Sequence, residues 1–339
     1  MDIQVSQAPG RVAFTQLIDL ASEVVGGKVL FANDDFFAEK ENLLKRETPV
    51  FIVTKYTDQG KWMDGWESRR KREVGHDYCI VKLGIPGVIQ GVNVDTSFFT
   101  GNFPEYAALE ACESETDELK NLESKEWTTL LQKTELHGHT QNYFFVSHPK
   151  RVTHLRLRIF PDGGIARLRV HGTASPSSSE LKGSIDVASA KMGAQVISAN
   201  DSYFGPKDNL IFPGRAQHMG EGWETRRKRG PGHDWLILRL AGTSKIQSIE
   251  VDTHHYKGNF PDSCSIDGVC VGKKLLACDF RDQVHAWTEI LPRQKLKADF
   301  SHKFSSELKS LEQKFDHLSI NIYPDGGVSR LRVMGVLEL

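Results

Sequence analysis

The chain has 339 residues, 43 basic and 44 acidic side chains, a formal net charge of −1 and 39% hydrophobic residues. Its length suits two domains rather than one core. The balanced charge excludes a global field that would draw it to nucleic acid or a membrane surface, and the composition excludes a disordered chain. No apolar run approaches the length of a bilayer span. The opening stretch MDIQVSQAPGRVAF has no basic segment followed by an apolar one, so no signal peptide is expected. The cysteines at 79, 112, 264, 270 and 278 are odd in number and lack Cys-x-x-Cys spacing. They point to reduced thiols, a cytoplasmic location and no zinc site.

In chain order, the first block is DLASEVVGGKVLFANDDFFAEKENLL (19–44), followed by DGWESRRKREVGHD (64–77). DYCIVKL (77–83) is a short, nearly continuous apolar run suited to a strand in a sandwich core. VDTSFFTGNFP (94–104) and the acidic stretch ESETDELKNLESKE (113–126) come next. Then Leu155, Leu157 and Ile159 alternate with His154, Arg156 and Arg158, and beyond a PDGG turn Leu168 and Val170 alternate with Arg167 and Arg169. This period of two marks strands, and the alternation predicts that Arg167 faces outward.

All of these blocks except the acidic stretch recur. Residues 186–211, 221–241, 251–261 and 317–335 match at offsets of 167, 157, 157 and 163, and 12 of 21 positions are identical between 64–84 and 221–241. Drifting offsets between matched blocks mean loop insertions between fixed elements. The only convincing helical periodicity is brief, at residues 304–314. The sequence therefore predicts an all-β protein of two tandem antiparallel jelly-roll β-sandwich domains from an internal duplication. The first repeat is placed at 1–172, a polar linker at 173–185 and the second repeat at 186–339.

ANDDFFAEKENLL, DGWESRRKR with its following GHD, VDTSFFTGNFP and FPDGGIARLRVHG, in this order and twice over, resemble the allantoicase (allantoate amidinohydrolase) family. The resemblance implies a pair of galactose-binding or discoidin-like jelly rolls. It also implies hydrolysis of allantoate to ureidoglycolate and urea, in purine breakdown through urate and allantoin. Allantoate carries a carboxylate and two ureido groups on one carbon. Expelling urea calls for a proton on the departing nitrogen, and water then adds to the iminium-like carbon with help from a base.

The repeated blocks contain the required groups. Glu67, His76 and Asp77, with Glu224, His233 and Asp234, are the candidate acid–base residues. Arg69, Arg70, Arg226 and Arg227 offer forked donors to the substrate carboxylate. Asn33, Asp34, Asp95, Thr96 and Asn102, with Asn200, Asp201, Asp252, Thr253 and Asn259, offer hydrogen bonds suited to urea groups, and Arg167 and Arg330 close the substrate-binding set. Asp162 and Asp325 belong to the PDGG turns and read first as structural. Trp66 and Trp223 read as core plugs and Cys79 as a buried thiol.

A run of four basic residues also serves as a targeting patch, but such a patch needs no Trp-Glu and His-Asp at fixed distances on either side. His254–His255 and His137–Gly138–His139 occur in one copy each, which makes them poor candidates for a duplicated metal site. No signal requires a cofactor; oxygen-donor cation sites leave little spacing signal, so a divalent cation stays open. The competing class is a non-catalytic tandem lectin-like binding module. The expected partner is a small molecule, allantoate, with no nucleic acid or membrane, and the chain is expected to form a homo-oligomer.

Overall fold

Each repeat is built around one nineteen-residue strand, Asp77–Asp95 in the first and Asp234–Asp252 in the second. The computed structural model describes residues 3–5, 12–272 and 287–338 and divides into two units, Met1–Ser175 and Pro176–Leu339. Such a strand is several times the usual length, and it changes partners halfway. Between Asp77 and Lys82 it pairs with Val152–Phe160 on one side and Lys28–Ala32 on the other. Between Gly91 and Asp95 its neighbours are Gln141–Phe145 and Arg167–Ala174. Gly84, Pro86 and Gly87 lie where the partners change. Tyr106–Cys112 and Thr128–Glu135 extend the sheet beyond Val152–Phe160, and Ile18–Asp19 extends it beyond Arg167–Ala174.

The second unit repeats the plan. Asp234–Asp252 pairs with Gln195–Ala199 and Phe315–Tyr323 over its first part, then with Ser301–Phe304 and Arg330–Leu337. Every strand pairing among the described residues is antiparallel, as expected of tandem jelly rolls. Leu155, Leu157 and Ile159 are fully buried, while Arg156 and Arg158 look out from the opposite face. Trp66 and Trp223 are fully buried, as their sequence reading predicted.

Two elements depart from the sequence reading. Residues 304–314 are not helical: Ser301–Phe304 pairs with the long strand, and Ser310 takes a positive φ of 60°. The hydrophobic residues that suggested a helix belong instead to the strand end (Phe304) and to a turn closed by Leu308 N–H on Ser305 O. The only α-helix among the described residues is Leu119–Glu123, inside the acidic stretch. Its Leu122 is buried against Ile80 and Cys112, with Leu119 and Trp127 alongside. No described helix is long and apolar enough to cross a membrane.

Candidate active site

The basic loop is held on three sides. Trp66–Glu67 pairs with Gly164–Ile165, and Glu67 also bridges to Ala38; Trp223–Glu224 pairs with Gly327–Val328, and Glu224 bridges to Gly205. The PDGG turn reaches the loop from the other end. Asp162 accepts from Lys71 N–H at 2.7 Å, and Asp325 from Lys228 N–H at 2.8 Å. Gly163 and Gly326 adopt φ of 136° and 137°, favourable only for glycine. A side chain on Gly164 or Gly327 would fall 1.9 Å from the ring of Phe99 or Tyr256. This explains why both glycines of the turn are needed.

Three of the four basic residues are held differently, in the same way in the two repeats. Arg69 Nε binds Asp34 Oδ2 at 2.7 Å and Arg226 Nε binds Asp201 Oδ2 at 2.7 Å. The same two aspartates accept backbone N–H groups from Phe36 and Arg69, and from Tyr203 and Arg226. Burial works against the charge on Asp34 and Asp201, but these arginine and backbone donors hold both carboxyls below the ordinary range. The aspartate backbone carbonyls accept Trp66 and Trp223 Nε1–H, each at 2.8 Å. Lys71 and Lys228 turn inward, 2.6 Å from Asp77 and 2.8 Å from Asp234. Arg70 and Arg227 are exposed, and no described residue pairs with either.

Glu67 and Glu224 lie on the inner edge of this loop. Asn102 Nδ2 donates to Glu67 Oε1 at 2.7 Å, and Asn259 Nδ2 donates to Glu224 Oε1 at 2.5 Å. Burial raises both carboxyls above their ordinary range, and the asparagine hydrogen bond only partly opposes it. A carboxyl that keeps its proton unusually late is suited to proton donation.

His76 and His233 are partly exposed and pack at a tilt against Phe160 and Tyr323, with ring centroids 4.9 Å and 4.7 Å apart. Burial, then the neighbouring Arg158, lowers the His76 pKa. The aspartates beside these histidines are sealed in. Asp77 and Asp234 are 0% and 1% exposed, each accepting a lysine and an asparagine amide (Asn33 or Asn200, both 2.8 Å). They brace the loop from inside. Asn33 and Asn200 are committed as well, since their Oδ1 atoms accept Tyr78 and Trp235 N–H at 2.7 Å.

Several other candidates also lie inside the fold. Thr96 and Thr253 are fully buried, and their hydroxyls close loops onto the carbonyls of His137 and Thr140, and of Lys297 and Phe300. Asp95 and Asp252 are 3% exposed. The outward-facing reading of Arg167 is corrected: it is 1% exposed, because the 45–66 segment covers the strand face that alternation assigned to solvent. Its guanidinium donates to the carbonyls of Glu47, Asp64 and Ala166 and pairs with Asp64 Oδ2 at 2.8 Å. Arg330 is likewise buried, on the carbonyls of Gly214, Glu221 and Ser329, and burial pushes its pKa down to about 10.

The structure adds groups that sequence reasoning passed over. Glu110 receives Arg156 Nε at 2.6 Å and Arg158 Nη1 at 3.3 Å, beside His76. In the second repeat alone, His254 Nδ1 meets Asp252 Oδ1 at 2.6 Å. The Asp-x-His spacing was the available signal; its absence from the first repeat hid it. Among the described residues, no three His, Cys, Asp or Glu side chains gather in a metal-binding arrangement. Cys278 lies outside the described residues.

This architecture defines a tandem jelly-roll protein with a duplicated basic loop that carries a glutamate of raised pKa. A profile of the allantoicase repeat matches residues 18–175 and 185–338. A probable allantoicase of Burkholderia pseudomallei is 47% identical over 332 residues, covering 97% of this chain and 98% of the relative. The allantoicase of Dictyostelium discoideum is 45% identical over 94% of this chain and 87% of the relative. The crystal structure of allantoicase from Saccharomyces cerevisiae has a TM-score of 0.80 and 32% identity, covering 98% of this chain and 100% of that one. The chain belongs to the allantoicase family.

Proposed function

We propose that this chain hydrolyses allantoate to ureidoglycolate and urea. The observation that carries the reading is duplicated in the two repeats: a partly buried glutamic acid with a raised pKa, held by an asparagine, on a loop whose outer arginine is unpaired. Arg70 and Arg227 grip the substrate carboxylate as a planar two-pronged donor. Glu67 and Glu224 give a proton to the departing ureido nitrogen as the C–N bond breaks. The lone pair of the remaining ureido nitrogen then forms the iminium-like bond. Water adds to that carbon and loses its proton to a base, and the protonated base passes that proton through solvent to the glutamate carboxylate, which restores the acid. Imidazole at the end of the loop supplies the base. The family membership favours this over the lectin-like module.

The chain acts as a homo-oligomer in the cytoplasm. Edge strands Thr128–Glu135 and Thr288–Lys295 offer unpaired backbone for association, and the free thiols of Cys79, Cys112, Cys264 and Cys270 suit a reducing compartment. The experiment is to incubate the full chain with allantoate and quantify both products. Urea and ureidoglycolate in equal amounts are expected. Absence of both, with and without added divalent metal, overturns the reading.

A further inference from the structure

The two repeats carry the same histidine at the start of the same strand, but they hold it against opposite kinds of partner. In the first repeat, Arg158 Nε lies 3.1 Å from His76 Nε2. An arginine Nε always bears hydrogen and can only donate, so His76 Nε2 must accept. That leaves the ring hydrogen on Nδ1. Arg158 is itself fixed, by Glu110 at 3.3 Å and by stacking 5.3 Å over Phe160.

In the second repeat Asn321 stands where the first has Arg158, and Asp267 where it has Glu110. Asn321 Nδ2 donates to Asp267 Oδ2 at 3.0 Å, which sets the orientation of the amide. Its Oδ1 then faces His233 Nε2 at 3.2 Å. A carbonyl oxygen only accepts, so the neutral His233 ring bears its hydrogen on Nε2 and its Nδ1 is bare. Neither Nδ1 has a partner among the described residues, and neither is among the buried atoms left without one, so both are open to solvent.

We infer that the two repeats hold opposite imidazole tautomers and are chemically unequal: His76 offers an N–H donor at Nδ1, whereas His233 offers a free lone pair there. Arg158 and Asn321 are the positioning residues that set this difference. Resting on the proposed hydrolysis, the inference assigns base assistance to the second repeat. His76 has no lone pair left for water, because its one basic nitrogen already accepts from Arg158.

The test is histidine-selective ¹⁵N NMR of the full chain, using long-range ¹H–¹⁵N couplings that distinguish the two neutral tautomers. His76→Gln and His233→Gln serve to assign the signals. The expected result is a hydrogen on Nδ1 for His76 and on Nε2 for His233. The same tautomer in both rings, or the reverse arrangement, overturns the inference whatever the activity. Turnover is read separately. His233→Asn is expected to lower kcat by about 10²–10⁴-fold, the usual worth of base assistance, and His76→Asn to act mainly on KM. Opposite tautomers with unchanged kcat in both variants uphold the tautomer assignment and remove the imidazoles from the proposed reaction.

Discussion

Arg167 and Asp64 form an ion pair sealed inside the first repeat, Nη2 to Oδ2 at 2.8 Å, while Arg70 on the loop above has no partner among the described residues. Two arginines read from the sequence as substrate ligands thus differ in physical role. Removing Arg167 strands a buried carboxylate and three carbonyls. Arg167→Met is therefore expected to cost about 3–5 kcal/mol, the usual penalty for breaking a buried pair from one side. Chemical denaturation measures it. A normal denaturation midpoint together with lost activity would return Arg167 to the substrate site.

Arg70→Lys combined with Arg227→Lys is expected to behave in the opposite way. Lysine keeps the charge but loses the planar fork. The unfolding free energy should stay within about 0.5 kcal/mol of the parent, as for exposed positions without a partner. The KM for allantoate should rise by roughly tenfold or more, consistent with a charge-assisted bond worth about 1.5–3 kcal/mol. Steady-state kinetics checks this, and an unchanged KM makes these arginines solvated surface.

The duplication, the strand pattern and the repeated basic loop were legible because each rests on local spacing. Leu155, Leu157 and Ile159 occupy the core as their alternation predicts. Arg167 was misread because alternation says which residues share a face, and a covering segment over the other face leaves no trace in the strand itself. The partners of Asp77 and Thr96 were out of sight for a related reason: polar residues beside a motif look available until burial shows what they already bind. Glu110 and Arg158 were out of reach, since 48 residues separate them and no spacing rule joins them. The helix Leu119–Glu123 was hidden in a stretch whose charge reads as solvated, although Leu119 and Leu122 anchor it.

Arg158 also controls how readily His76 takes a proton. Burial is the larger reason that the His76 pKa lies below the ordinary 6.5, and the Arg158 charge is the next. Arg158→Asn should raise that pKa, since the burial persists but the adjacent positive charge is gone. The linkage has a definite sign. A histidine whose folded pKa is depressed contributes stability above its unfolded pKa, and this is lost as pH falls from there to the folded value. The variant should therefore lose less stability than the parent between neutrality and that lower pKa. An NMR titration of the ring, with denaturation at each pH, checks both statements. A pKa that falls in the variant contradicts the account.

In the proposed reaction the doubled loop does the chemistry and its partly buried carboxyls carry the proton. Turnover and binding should be measured together on Glu67→Gln combined with Glu224→Gln, a change that keeps shape and hydrogen bonding but removes the ionisable proton. The expected result is a fall in kcat of about 10²–10⁴-fold, with allantoate affinity by calorimetry held within a few-fold of the parent. An unchanged kcat, or a loss of affinity that accounts for the whole defect, contradicts it.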